Sequence, residues 1–304
     1  MAQTRRTPGQ ARARLQLGVS APWSFGRDAL PTADILERSV GLGFNVVELH
    51  SVVVETFLGA PRPTVPLEPP PADGTALGLM ELELEVLQDS YELARDAFER
   101  QLRQWRSSVP LAPLTELRRA FDDAGLRIEL VAWDHLTLLS DDELDYVFRT
   151  VRALGARAVT TGWPTGGLRR LAAAADRHQV WLGIDAHSWS GPPALDELFG
   201  CGQFVGITPD LSEWSADNRE KPLGVLTAHQ ARVVGVYLQD RVSPEGGNVP
   251  FGEGWTPIRE VLRAIRDNGW DIPAIVRLES WIPDGLDRHS ALKQAVNYCR
   301  ASVD

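Results

Sequence analysis

Three acidic residues stand directly after short apolar runs, where carboxylates could do chemistry: Asp185, Asp210 and Glu279. Crowded carboxylates are costly unless a cation, a proton or a hydrogen-bond donor holds them. If the three converge, their oxygens form a hard-ligand site that suits Mg²⁺ or Mn²⁺. Arg241 and Arg277 offer the alternative, in which each acid is solvated or salt-bridged.

Aromatic and histidine side chains accompany these acids at the ends of the predicted strands. Six of the ten tryptophans fall there, namely Trp23, Trp133, Trp163, Trp189, Trp214 and Trp281. Their concentration predicts an aromatic-walled pocket that binds a substrate. His50, His135 and His187 share these positions, and each could be a general acid, a structural residue or a ligand. The remaining candidates are Glu48 after strand two, and Tyr237, Asp240 and Arg241 after strand seven.

The elements that must position these residues follow one repeating pattern. Short β-branched runs alternate with amphipathic stretches that end in glycine, as in successive strand and helix pairs. We predict strands over residues 15–20, 44–50, 127–133, 157–162, 180–186, 204–208, 233–238 and 274–278. Eight such pairs predict an α/β protein with a single (β/α)8 TIM barrel over residues 15–304, with its chemistry at the carboxyl ends of the strands. A proline-rich loop and a long helix interrupt the repeat after strand two, as an insertion over about 52–110.

Composition excludes several classes of function. The net charge of the 304 residues is −10, and lysine supplies two of the 31 basic residues, which argues against nucleic-acid binding and a lysine Schiff base. Two cysteines cannot form a disulfide framework. No apolar run reaches the roughly 18 residues of a membrane span, and the basic stretch 1–14 leads into no signal core. We therefore expect a soluble, cytoplasmic protein with a disordered basic tail, a small-molecule substrate, and neither a membrane nor a nucleic-acid partner. The insertion is expected to act as a lid or as a homo-oligomer contact.

Several stretches carry a resemblance to a known family. They are Gly43-Phe-Asn-Val-Val-Glu-Leu49, Val236-Tyr-Leu-Gln-Asp-Arg241, Phe251-Gly-Glu-Gly-Trp255, Ile258 to Leu262, and Arg277-Leu-Glu-Ser280. Together they resemble the second, seventh and eighth strand regions of the sugar phosphate isomerase/epimerase superfamily, the xylose isomerase-like barrels. The resemblance covers nearly the whole chain apart from the tail and the insertion.

The resemblance implies one divalent metal, Mn²⁺ or Mg²⁺, held by residues from strands five to eight. The matching positions are Asp185, Asp210, Tyr237 and Glu279. Two of them depart from the family, because Asp185 stands where a glutamate is usual and Tyr237 where a histidine is usual. His187 could restore a nitrogen ligand, or Tyr237, with an ordinary phenol pKa of about 10, could donate a proton in a site without metal.

The activity that the resemblance implies is isomerisation or epimerisation of a sugar-like hydroxy-carbonyl compound. In that chemistry a metal chelates the substrate oxygens while two groups move a proton through an enediolate. Glu279 would be the base, with Asp185 or Tyr237 opposite, and Glu48 and Arg241 would orient hydroxyls.

Three other functions stay open at this point. A lyase or dehydratase uses the same enolate chemistry when a leaving group stands β to the carbonyl, and the insertion and tryptophans suit a larger aromatic or glycosylated substrate. The two changed metal positions also suit a non-catalytic binding barrel. A DNA-repair endonuclease of this fold is disfavoured by the acidic charge and the few histidines.

Overall fold

The computed structural model describes residues 15–26, 30–63, 81–164, 166–185, 192–215, 218, 220–243, 246–278, 282 and 286–304, without the side chains of 81–85 and 192–194. Eight strands run in parallel in one sheet, in the order β6-β5-β4-β3-β2-β1-β8-β7. Their bounds are β1 Leu17–Ala21, β2 Val46–His50, β3 Arg127–Ala132, β4 Ala158–Gly162, β5 Trp181–Asp185, β6 Val205–Ile207, β7 Val236–Leu238 and β8 Ala274–Val276. Between β6 and β7, the Val234 N–H donates to Ile207 O and the Tyr237 N–H donates to Pro209 O, both at 2.9 Å. These contacts curl the sheet onto itself, so the predicted α/β TIM barrel is confirmed.

Helices follow the strands along the described chain. They are α1 Thr32–Leu42, α2 Ser51–Phe57, α3 Glu81–Ser108, α4 Ala112–Asp123, α5 Asp141–Leu154, α6 Leu168–His178, α7 Pro192–Phe199, α8 Leu211–Trp214, α9 Lys221–His229, α10 Ile258–Asn268 and α11 Arg288–Val303. At the start of α5, the Ser140 hydroxyl accepts from the Glu143 N–H while the Glu143 carboxylate accepts from the Ser140 N–H. This reciprocal capping box satisfies two otherwise unpaired groups at the helix N-terminus. None of the described helices is long and apolar enough to cross a membrane.

The barrel interior is filled by side chains that point inward from the strands. A small buried cluster contains Val46, Leu130, Ala158, Val234, Tyr237 and Ile275. Such layers close the interior of a parallel barrel, so ligands bind at its mouth. Tyr237 is fully buried in this cluster, and it also lines the mouth cavity described below.

The insertion after β2 consists of α2 and the long helix α3, and one arginine ties α3 to the barrel. Arg106 donates from Nε and Nη2 to the two Glu55 oxygens at 2.8 and 3.1 Å, and from Nη1 to Glu143 at 2.9 Å. All three side chains are buried or nearly so. The predicted long helix is therefore present and anchored, whereas most of the proline-rich loop and the basic tail lie outside the described residues.

Candidate functional site

A cavity of about 170 Å³ lies at the carboxyl ends of the strands. Its described lining consists of Ser20, Trp23, His50, Ala132, Asp134, Thr160, Thr161, Gly162, Asp185, Tyr237 and Arg277. Barrels of this kind hold their active sites at this end. The volume is close to that of a cavity that holds one benzene-sized molecule, roughly 150 Å³. The cavity therefore suits a small metabolite.

An arginine is held in the wall of the cavity among acidic and aromatic groups. Arg277 follows β8, and its Nη1 donates to Asp185 Oδ2 at 2.8 Å. Its Nη2 lies 4.0 Å from Glu48 Oε2, and the guanidinium carbon lies 3.2 Å from the centre of the Tyr237 ring. The Arg277 side chain is only 12% exposed, so stacking and ion pairing fix its position. The cavity thus contains a fixed positive charge.

A buried carboxylate lies beneath this arginine. Glu48 is completely buried, and its Oε1 accepts from the Tyr237 hydroxyl at 2.6 Å and from Thr160 Oγ1 at 2.8 Å. Burial, together with the charge of Glu48, raises the pKa of Tyr237 well above its ordinary value. Tyr237 therefore stays protonated at neutral pH, and its O–H group donates a hydrogen bond to Glu48.

A histidine and an aspartate form a pair at the rim of the cavity. His50 Nε2 lies 3.0 Å from Asp134 Oδ2, while His50 Nδ1 accepts from the Val52 N–H at the start of α2. Because Nδ1 is an acceptor, the ring proton is on Nε2 and points to Asp134. The hydrogen bond with His50 lowers the pKa of Asp134, so this carboxylate stays ionised. The edge of Trp23 packs on the His50 ring at 5.3 Å. This pair can exchange a proton with a substrate hydroxyl.

Other predicted site residues are engaged in holding loops. Asp210 is fully buried and caps α8, where Oδ1 accepts from Ser212 N and Oγ at 2.9 and 2.6 Å. Its Oδ2 accepts from Gln239 Nε2 at 2.8 Å. Arg241 forms an ion pair with Glu213. In the described residues these side chains stabilise the loops after β6 and β7.

The tryptophans of the predicted rim take different positions. Trp23 lines the mouth cavity, and Trp163 lines a neighbouring cavity of about 320 Å³ together with His135. Trp133 and Trp214 are buried, and Trp133 packs away from the mouth against Tyr146 on α5. Four predicted site residues lie outside the described part of the chain, namely His187, Trp189, Glu279 and Trp281. A tryptophan-walled pocket stays a prediction.

The donor set offered by the described residues does not fit the divalent metal that the resemblance implies. Asp185 holds Arg277, both oxygens of Asp210 accept hydrogen bonds, and Tyr237 is a neutral phenol that donates to Glu48. A guanidinium lies between the carboxylates, where a second cation would be repelled. Among the described residues, no group of three or more histidine, cysteine, aspartate or glutamate side chains is placed to hold a metal ion.

Several lining residues were not among the sequence candidates for the site. The sequence indicates Arg277 only as a salt-bridge partner, and it does not single out Ser20, Asp134, Thr160 or Thr161 as site residues. Asp134 stands two residues beyond the end of β3, and this position near a strand end is a usable signal. The threonines carry no such signal, because hydroxyls are also common in strands.

Comparison with known proteins identifies the fold. The chain has the fold of the xylose isomerase-like barrels, and its structural neighbours include sugar phosphate isomerases and epimerases. The predicted resemblance is confirmed at this level.

Particular relatives are distant in sequence. A xylose isomerase domain protein from Alicyclobacillus acidocaldarius superposes with a TM-score of 0.62 at 15% identity, over 95% of this chain and 98% of that one. The probable 3-DHS dehydratase AsbF from Bacillus anthracis gives a TM-score of 0.62 at 12% identity, over 93% and 98%. The L-ribulose-5-phosphate 3-epimerase UlaE of Escherichia coli is 22% identical over 142 residues, 45% of this chain. The match spans about half the length (49%) of that curated relative. No family profile matches the chain.

Proposed function

We propose that this protein is an isomerase or epimerase that moves a proton on a small sugar-like hydroxy-carbonyl compound. The observation that carries the proposal is Arg277, a fixed guanidinium in a small cavity at the barrel mouth, with Asp185 and Glu48 beside it. A cation held in advance where negative charge develops is an effective way to stabilise an enediolate. The epimerase among the relatives supports the same class of reaction.

Each residue has a defined part in the proposed reaction. Asp185 accepts the proton from the substrate carbon, and the electron pair of the broken C–H bond moves onto the carbonyl oxygen, next to Arg277. Tyr237 and Glu48 keep the guanidinium in place, because one stacks on it and the other attracts it. The pair of His50 and Asp134 exchanges the hydroxyl proton at the rim. Glu279, from the loop after β8, is the partner expected to return a proton to the other face.

This assignment replaces a metal ion by a resident side chain. In related enzymes a bound metal polarises a carbonyl as a Lewis acid. The described donor set does not fit such an ion, so no step of the proposed reaction uses it. The guanidinium of Arg277 supplies the positive charge instead.

Deuterium exchange tests the proposal. The purified chain is incubated in D₂O with a panel of ketopentoses, ketohexoses and their phosphates, and incorporation next to the carbonyl is followed by proton NMR. Wild-type protein should exchange at least one of them, and Asp185→Asn should lower kcat by roughly 100-fold or more with a small change in KM. Thr137→Ala is the control and should exchange at the wild-type rate, because Thr137 lines the neighbouring 320 Å³ cavity and not the mouth cavity. If Asp185→Asn exchanges as fast as wild type, the assignment is wrong.

A dehydratase is the second candidate. His50 and Asp134 lie hydrogen-bonded at the cavity rim, where a general acid–base pair could act on a leaving hydroxyl. A dehydratase is also among the structural neighbours. The same NMR assay separates the two functions, because elimination removes substrate and forms an alkene signal, whereas isomerisation gives exchange with the hydroxyls retained. Saturable ligand binding without exchange or elimination would favour a non-catalytic binding barrel.

A further inference from the structure

The neighbouring cavity, of about 320 Å³, adjoins the mouth cavity at the ends of β3 and β4. Asp134, Thr161 and Gly162 line both cavities, so a ligand held in one can extend into the other. The neighbouring cavity has about twice the volume of a cavity that holds benzene, roughly 150 Å³. A substituted single ring or a fused pair of rings therefore fits in it.

Apolar side chains form much of the wall of the neighbouring cavity. They belong to Leu136, Trp163, Pro164 and Leu171. Trp163 is 45% exposed, and leaving a large indole surface in water is unfavourable. An aromatic ring stacked on an indole gains apolar contact and ring–ring attraction. The exposed indole therefore offers a suitable face for an aromatic group.

The loop after β3, which carries part of this wall, is held in place by an arginine. Arg170 on α6 donates from Nη2 to Leu139 O at 2.6 Å and from Nη1 to Asp141 Oδ1 at 3.0 Å. Leu136 in the same loop is 1% exposed. A wall that is fixed before binding loses little conformational entropy when a ligand enters. The cavity is therefore pre-formed for its ligand.

The chemistry of the wall favours an uncharged ring. Among the described lining residues none is lysine or arginine, and Asp134 adds a negative charge, so an anionic group would meet no permanent cation there. A second sugar ring could also stack on the indole, but Leu136, Pro164 and Leu171 offer its hydroxyls no side-chain hydrogen bond. His135 lines the same cavity, and its imidazole suits a single phenolic hydroxyl.

We propose that the substrate carries an aromatic ring besides its hydroxy-carbonyl part, and that this ring binds in the neighbouring cavity against Trp163. The proposal deepens the proposed function and rests on it for the reaction. Simple ketoses fill the mouth cavity alone and serve as minimal substrates. Gly162 keeps the passage between the two cavities open. A Cβ on Gly162 would meet no described atom within 4 Å, so a larger side chain fits there and extends into that passage.

The first experiment compares a matched pair of hydroxy-ketones with the full chain. Exchange in D₂O next to the carbonyl is measured for 1,3-dihydroxybutan-2-one and for its 4-phenyl derivative. We expect kcat/KM of the phenyl compound to exceed that of the smaller one by about 30-fold or more, the usual gain from burying such a ring. That ratio should fall by about 10-fold in Trp163→Ala and to about 1 in Gly162→Leu. Gly166→Leu, the same change at an open position outside both cavities, should keep the wild-type ratio.

The outcomes separate this proposal from the proposed function. A wild-type ratio of about 1, with exchange of the smaller compound, overturns the aromatic subsite and leaves the proposed function intact. A ratio that neither Trp163→Ala nor Gly162→Leu changes also overturns it. Absence of exchange with both compounds counts against the proposed function, and binding then decides the subsite without an activity readout.

The second experiment measures the binding of 2-naphthol, a hydroxylated aromatic probe, by isothermal titration calorimetry. We expect saturable binding to wild type with a Kd of about 1 mM or below, about ten-fold weaker binding to Trp163→Ala, and wild-type binding to Gly166→Leu. Methyl β-D-glucoside, the comparison for a sugar ring, should bind at least about ten-fold more weakly than 2-naphthol. The proposal is wrong if 2-naphthol shows no saturable binding, if it binds Trp163→Ala equally well, or if the glucoside binds more tightly through Trp163.

Discussion

Replacing Arg277 by methionine is the most informative perturbation of the candidate site. Methionine keeps much of the apolar stem and removes the guanidinium, so Asp185 and Glu48 lose the cation beside them. The Asp185 side chain is 6% exposed and that of Glu48 is 0% exposed, so water cannot readily replace it. Removing one partner of a buried ion pair typically costs about 3–5 kcal/mol. We expect the free energy of unfolding of Arg277→Met to fall by about that amount at neutral pH.

Urea denaturation followed by tryptophan fluorescence measures this loss. The control is Arg118→Met, because Arg118 pairs with Asp122 at 3.3 Å on the surface of α4, with both side chains about half exposed. Such a pair contributes less than about 1 kcal/mol. A double variant, Arg277→Met with Asp185→Asn, should recover part of the loss, because the unpaired carboxylate is gone. If Arg277→Met is no more destabilising than Arg118→Met, or if the double variant recovers nothing, the buried pair does not hold this site together.

Four further predictions concern the insertion, the capping box, the loss of stability in acid and the proposed absence of a metal step. Arg106→Met should destabilise the protein by about 3–5 kcal/mol, because it leaves two buried glutamates without their cation. The control Arg103→Met, one turn earlier on α3, should cost less than about 1 kcal/mol. Thermal and urea unfolding measure both losses. Ser140→Ala should cost about 1 kcal/mol through the lost helix cap. Burial of Glu143 would raise its pKa, but the hydrogen bonds that it accepts from Ser140 and Arg106 outweigh burial and lower the pKa. The ionised Glu143 therefore stabilises the fold above its unfolded pKa of 4.5, and this stabilisation is lost as pH falls through its folded pKa. Glu143→Gln should accordingly flatten the loss of stability below about pH 4.5. Exhaustive dialysis against EDTA should leave deuterium exchange unchanged, since Arg277 supplies the charge; loss of exchange that Mn²⁺ restores would contradict this.

The barrel could be predicted from sequence because its pattern is repeated and local. Seven of the eight predicted strands contain the observed strand, and β1 extends one residue beyond its predicted end, to Ala21. Strand seven was predicted over 233–238 but pairs regularly only over Val236–Leu238. Apolar character continues through Val233 and Val234, which are buried, although the regular ladder does not include them. The hydrophobic pattern indicates which residues are buried, and buried residues extend beyond those that pair by hydrogen bonds in the sheet. The predicted strand is therefore longer than the observed one.

The site was harder to predict because strand position does not specify side-chain direction or partner. Trp133 and Asp134 both follow β3, but Trp133 packs outward while Asp134 lines the cavity. Asp185 and Arg277 are 92 residues apart, and only the closed barrel brings them together. Asp210 did carry a readable signal, since an aspartate before a short helix with Glu213 three residues later is typical of an N-cap.

The charges in the cavity account for how one guanidinium would serve in the proposed reaction, where the family resemblance implies a divalent ion. In the proposed reaction, the proton that leaves the substrate carbon neutralises Asp185, the carboxylate that holds Arg277 Nη1 at 2.8 Å. The negative charge moves at the same moment to the substrate oxygen, so the total charge around Arg277 does not change. The donor released by Asp185 becomes available to that oxygen, and the transition state gains a hydrogen bond that the ground state lacks.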